Sequence, residues 1–227
     1  MAKIIRVNEE ELTRLIREAV DEMAYPISFR MEDFKKLTSF KARIDYCQAR
    51  LPRLSSGSSR IVYKIDNEKV LKLAKNRKGL AQNAVEGAND YFMKGLDCLA
   101  KVYDIDPKFL WIEMQLARPA KESDFERICG YDFEVVQFYL DYIQEYAKQG
   151  HFVPTYYMDI FKSDIFMNEY EGSIFDSLTD YVKGYKVPVG DLQRLSSWGV
   201  VEDNGQEKLV VIDYGLNAKV LQQHYLK

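Results

Sequence analysis

Lys72 stands in the run Val70-Leu71-Lys72-Leu73-Ala74, where strand alternation puts Val70, Lys72 and Ala74 on one face. An ammonium on an apolar face needs an anionic partner, because burying it unpaired is costly. Glu86, in the middle of the next helical run, is a natural one. The alternative is a surface lysine snorkelling at a sheet edge. Two carboxylates follow far downstream. Asp191 lies in Val189-Gly190-Asp191-Leu192, and Asp213 closes Val210-Val211-Ile212 ahead of Tyr214-Gly215. An acid directly after buried aliphatics sits at a strand end, a position suited to a magnesium ligand or a catalytic acid. Either aspartate could instead simply start a turn. Upstream, Ser55-Ser56-Gly57-Ser58-Ser59-Arg60 is a turn of small residues leading into a strand. Such turns let backbone N–H groups approach phosphates closely.

The elements that must position these groups read as an α+β order. An amphipathic helix is expected over 8–24, with Asn8 as cap, Glu11 three residues on, and Pro26 beyond its end. A second helical run covers about 31–50. Strands follow at 60–65 and 69–74, joined by the Asp66-Asn67 turn, then a helix over 79–95 and strands at 102–103 and 109–114. Helices are expected near 123–129, 132–149, 155–168 and 173–182. Trp198–Val201 and 208–212 flank Asp203-Asn204-Gly205, a tight-turn sequence, and complete a hairpin. A short terminal helix closes the chain. The division is a helical extension over 1–50, which could pack on the domain or act as a docking element, a β-rich lobe over 51–116, and a helical lobe over 117–227.

In this order the pieces resemble the protein-kinase-like fold over about residues 51–217. Gly57 matches the middle glycine of the glycine-rich loop, Lys72 the lysine of the third strand, and Glu86 the glutamate of the following helix. Ile112-Glu113-Met114-Gln115 resembles the hinge, and Asp213-Tyr214-Gly215 the magnesium-binding triplet. Asp191 matches the catalytic-loop aspartate. The resemblance implies ATP and Mg²⁺ as cofactors and fixes the roles. Lys72, held by Glu86, would contact the α- and β-phosphates, while Gly57, Ser58 and Ser59 cover them. Glu113 and Gln115 would hold the adenine through their backbone. Asp213, with Ser196, would hold Mg²⁺, and Asp191 would accept the proton of the attacking hydroxyl.

The chain also departs from that pattern. Ser55 and Arg60 replace the first and third glycines, so the loop is bulkier than the family's. Val189-Gly190 stands where His-Arg is usual, as in small-molecule and atypical kinases. Ser196 replaces the asparagine that holds a second metal, and serine is a weak magnesium ligand. Twelve residues follow Gly215, too few for an activation segment, so a conventional protein kinase is not expected. Lys3 to Val20 resembles a leader found on many proteins of Bacteroidetes phages, and 57–78 resembles small phage kinase-like proteins. That resemblance implies a packaging or docking segment.

Composition bounds the rest. The chain is 47% hydrophobic and 30% charged, with net charge −3, so it lacks the positive field that nucleic-acid or membrane-surface binding needs. Cys47, Cys98 and Cys129 are few and widely spaced, which fits a reduced, cytoplasmic setting (host cytoplasm or virion for a phage protein) and no zinc site. No apolar run reaches membrane-spanning length. Three readings stand: an atypical phosphotransferase (or nucleotidyl transferase), a pseudokinase serving as a binding module for an unknown protein partner, and a structural protein with no ligand.

Overall fold

A computed structural model describes residues 26, 28–88, 95–144 and 153–224. The helix expected over 8–24, and with it the phage-like leader, lies outside these residues. The described elements run α1 (Met31–Lys36), α2 (Phe40–Gln48), β1 (Arg53–Ser56), β2 (Arg60–Lys64), β3 (Lys69–Ala74), α3 (Arg77–Glu86), β4 (Val102–Ile105), β5 (Trp111–Gln115) and β6 (Arg118–Pro119). There follow α4 (Glu122–Cys129), α5 (Phe133–Ile143), α6 (Thr155–Phe161), α7 (Asp164–Asn168), α8 (Ile174–Tyr185), β7 (Trp198–Asp203), β8 (Gln206–Val211) and α9 (Ala218–His224).

The first lobe is a five-stranded antiparallel sheet in the order β1-β2-β3-β5-β4. Its register sets Val62, Lys72 and Ile112 side by side across three strands, so they share a face. The opposite face carries Ile61, Tyr63, Leu71, Leu73 and Trp111, which form one buried cluster with Phe29, Met31, Phe34, Cys47 and Leu51. The helices of the 31–50 region therefore cap the back of the sheet. Each fully buried side chain there, such as Phe34 or Leu71, contributes about 1.5–3 kcal/mol.

The second lobe gathers α4–α8 around a core that includes Phe125, Val136, Leu140, Leu178 and Trp198. Val70, Ile112 and Met114, from the inner face of the first sheet, belong to the same cluster, so the lobes share one core. A small sheet, β6-β7-β8, lines the junction. Its hairpin turns at Asn204 and Gly205, with φ of 54° and 77°, the left-handed pair that a two-residue turn requires.

Some expected boundaries moved for local reasons. The single helix expected over 31–50 is broken at Leu37–Ser39, where the Ser39 hydroxyl accepts the Ala42 N–H and starts α2 afresh. The helix expected over 155–168 splits into α6 and α7 because Ser163 caps the second in the same way. Asn76 caps α3, which begins at Arg77 rather than 79 and closes at Glu86 ahead of Gly87. β1 carried no alternation to read, since its four residues are all exposed on a sheet edge.

Candidate active site

Between the lobes lies a cleft of about 590 Å³, a size suited to a small-molecule ligand. Its roof is β2 and the loop before it, its inner wall β3, its side Met114–Ala117, and its floor the 191–196 loop with Ile212 and Asp213.

Lys72 projects from the middle of β3, with a side chain only 7% exposed. Its ammonium donates to both oxygens of Glu86, at 3.1 and 3.0 Å, and to the backbone carbonyl of Ile212. Burial pushes the lysine pKa down, and Glu86 opposes that shift. One side chain thus ties the strand, the helix and the residue before Asp213 together. Glu86 is fully buried and also accepts the Tyr214 N–H at 3.1 Å. Tyr214 is fixed further, since its hydroxyl donates to the Ala100 carbonyl and its own carbonyl accepts from Tyr181. Asp213 is therefore aimed by its neighbours, and its side chain stays 59% exposed towards the cleft.

Asp191 lies across the floor from it. The Ser197 hydroxyl and the Arg194 N–H both donate to its carbonyl, at 2.7 and 3.2 Å. Trp198, fully buried, donates its indole N–H to Leu192 at 2.7 Å and holds the loop against the core. The Asp191 carboxylate pairs with Arg194 at 3.2 Å. Ser196, exposed, lines the same floor.

Above, the loop carbonyls of Gly57, Ser58 and Ser59 are taken by the Lys75 ammonium, the Asn76 amide and the Lys75 N–H. The loop is thereby clamped to the start of α3, with Gly57, Ser58 and Ser59 lining the cleft. On the hinge side the cleft meets Met114, Gln115, Leu116 and Ala117. The Gln115 and Leu116 N–H groups are spent on Lys101 and Glu68, whereas the Ala117 N–H has no partner among the described residues. Glu113 lies one residue earlier, beside Leu71 on the other face of the sheet and away from the cleft lining.

Sequence reading missed a contact that governs the site's charge. Arg60, in the sequence a bulky replacement for a glycine, reaches Glu86 at 2.6 Å and also the Asp213 carboxylate, with its side chain 8% exposed. Strand alternation contained the clue, since Arg60 shares a face with Val62, and Val62 pairs with Lys72. Desolvation by the surrounding cleft walls works to raise the Asp213 pKa, but Arg60 and Lys72 outweigh it and hold the carboxyl below its ordinary value.

This donor set does not fit a resident Mg²⁺. Asp213 is already neutralised by Arg60, Asp191 is engaged by Arg194, and Ser196 offers a neutral hydroxyl. Among the described residues, no three His, Cys, Asp or Glu side chains converge on a metal-sized site. No helix among them is long and apolar enough to cross a membrane.

No protein-family model and no curated protein matches the sequence. Among solved structures, the chain is similar to the GDP and kanamycin complex of APH(2")-IIia, at 12% identity, over 82% of this chain and 70% of that one, with a TM-score of 0.37. It is similar too to the streptomycin–ATP–APH(2")-IIa ternary complex, at 12% identity over 93% and 73%, with a TM-score of 0.29. The chain's own geometry defines its architecture. A five-stranded lobe whose third-strand lysine is paired to the glutamate of the next helix faces a helical lobe carrying two floor aspartates, an α+β arrangement of two lobes consistent with the protein-kinase-like fold expected from the motif order.

Proposed function

We propose that the cleft binds a nucleoside triphosphate and transfers its terminal phosphoryl group to a hydroxyl-bearing acceptor. The observation that carries this reading is the Lys72–Glu86 pair, held by the Ile212 carbonyl, in one cleft with Asp191 and Asp213. Glu86 holds the ammonium from behind, and Lys72 itself lines the 590 Å³ cleft beside both aspartates. The adenine edge would meet the Gln115 carbonyl and the Ala117 N–H, and its ring would lie against Val62, Val70 and Met114. The phosphates would then run under Gly57–Ser59 towards Lys72 and Arg60.

Catalysis in this reading is positioning and charge neutralisation. The acceptor oxygen attacks the γ-phosphorus, the bond from that phosphorus to the bridging oxygen breaks, and the nucleoside diphosphate leaves. The acceptor proton passes to the Asp191 carboxylate, which the Ser197 and Trp198 contacts keep on the floor.

A thermal-shift titration with ATP tests binding. At a hundredfold excess over Kd a specific site adds about 2.7 kcal/mol, or roughly 5–10 °C for a domain of this size. Transfer is tested with γ-labelled ATP and a lysate, where Asp191→Asn should abolish labelling and leave the thermal shift intact. Absence of any shift with ATP would refute the nucleotide reading. A second reading, a nucleotide-binding module without transfer, is favoured by the Arg60–Asp213 ion pair. Intact ATP binding with no labelled acceptor would select it.

A further inference from the structure

The charges that face the cleft are Arg60, Lys72 and Arg194 against Asp191 and Asp213, since Glu86 lies behind Lys72 and outside the lining. The wall is therefore net positive by one before any ligand enters. A divalent cation beside a polyphosphate normally offsets the phosphates and joins them to an aspartate, holding both through a tight octahedral shell. In this chain a guanidinium already touches that aspartate. It is anchored on the other side by Glu86 at 2.6 Å and Asn83 at 3.5 Å, both on α3, so its position does not depend on Asp213 alone. Its planar fork suits phosphate oxygens as well as carboxylates. A metal ion on Asp213 would bring two further positive charges against a buried arginine.

We infer that Arg60 takes the place of the divalent cation, so that the cleft holds nucleotide phosphates without Mg²⁺ and Mg²⁺ competes with Arg60 for Asp213. This rests on the nucleotide reading above and adds to it the identity of the cation. Lys72 and Arg60 then form a two-pronged clamp, with Glu86 as the carboxylate they share.

The test is isothermal titration of the full chain with ATP, in EDTA and in excess Mg²⁺. Wild-type affinity should agree between the two buffers to within about threefold, a difference of well under 1.4 kcal/mol. Arg60→Ala should lose about tenfold or more in EDTA and regain it in Mg²⁺. Arg60→Lys, which keeps the charge without the fork, should fall between. Wild-type binding that appears only with Mg²⁺ would overturn the inference and leave the nucleotide reading standing. Equal loss of affinity by Arg60→Ala in both buffers would also overturn it, because Arg60 would then be a phosphate contact and not a substitute cation. No binding in either buffer removes both. If Arg60→Ala does not fold, the comparison of the two wild-type isotherms decides alone.

Discussion

Replacing Glu86 by Gln keeps the shape of a fully buried side chain and removes its charge. The carboxylate accepts from Lys72 twice, from Arg60 and from the Tyr214 N–H, so the amide leaves two buried cations without the anion they share. Breaking a buried ion pair from one side costs about 3–5 kcal/mol. At about 2–4 °C per kcal/mol for a domain of this size, the melting temperature should fall by roughly 6–20 °C. Lys72→Met should cost less, because Glu86 would still hold Arg60. The double change Lys72→Met/Glu86→Leu should be milder than Glu86→Gln, since Arg60 then keeps Asp213 and no second cation is stranded. Urea denaturation followed by fluorescence is suitable, because Trp111 reports on the sheet lobe and Trp198 on the helical lobe, both buried. A Glu86→Gln loss below about 1 kcal/mol, in the range of exposed pairs, would refute the view that this network is dry.

Three further outcomes are expected. Gly79→Ala should destabilise although alanine favours helices by about 1 kcal/mol, since its Cβ would lie 2.3 Å from the Ser59 carbonyl and 3.0 Å from Ala74. An overpacking cost of about 1–3 kcal/mol and a weaker ATP shift should result, whereas Gly95→Ala, with nothing within 4 Å, should be close to neutral in the same melts. In the second lobe, Asp124 accepts both nitrogens of Arg118, then the Lys121 N–H and Arg127, and these bonds hold its carboxyl below the usual carboxylate range. The unfolded chain therefore binds that proton more tightly, so the contribution is complete above the unfolded value near 4 and is lost as the pH falls below it. Asp124→Asn should cost about 1.5–3 kcal/mol at neutral pH and flatten the acid limb of a stability–pH curve. Gly205→Val should cost about 1–2 kcal/mol in denaturant melts, because φ of 77° is left-handed and strained for a β-branched residue.

The residues nearest each other in sequence were the ones that could be read without a structure. Alternation in β3 put Lys72 on the face that became the cleft, and one helix further on Glu86 met it. The Asp203-Asn204-Gly205 turn and the aliphatic run before Asp213 likewise declared their own conformation, because turn chemistry and strand burial are local preferences. β1 escaped notice, as an exposed edge strand has no apolar period to display. The Ser39 and Ser163 caps were within reach of the sequence, yet long apolar periodicity masked the helix breaks they cause.

What the sequence alone determined is four of the charged groups, Lys72, Glu86, Asp191 and Asp213, and the α+β order around them, since alternation and helical spacing act over a few residues; Arg60 and Arg194 joined them only in the fold. The tertiary structure decided how those charges are shared. Arg60 lies 26 residues from Glu86 and 153 from Asp213, and only the meeting of β2, α3 and the end of β8 lets one guanidinium reach both. A buried cation takes whichever anions the packing leaves within hydrogen-bonding reach. That choice depends on distances between elements, which no local pattern encodes.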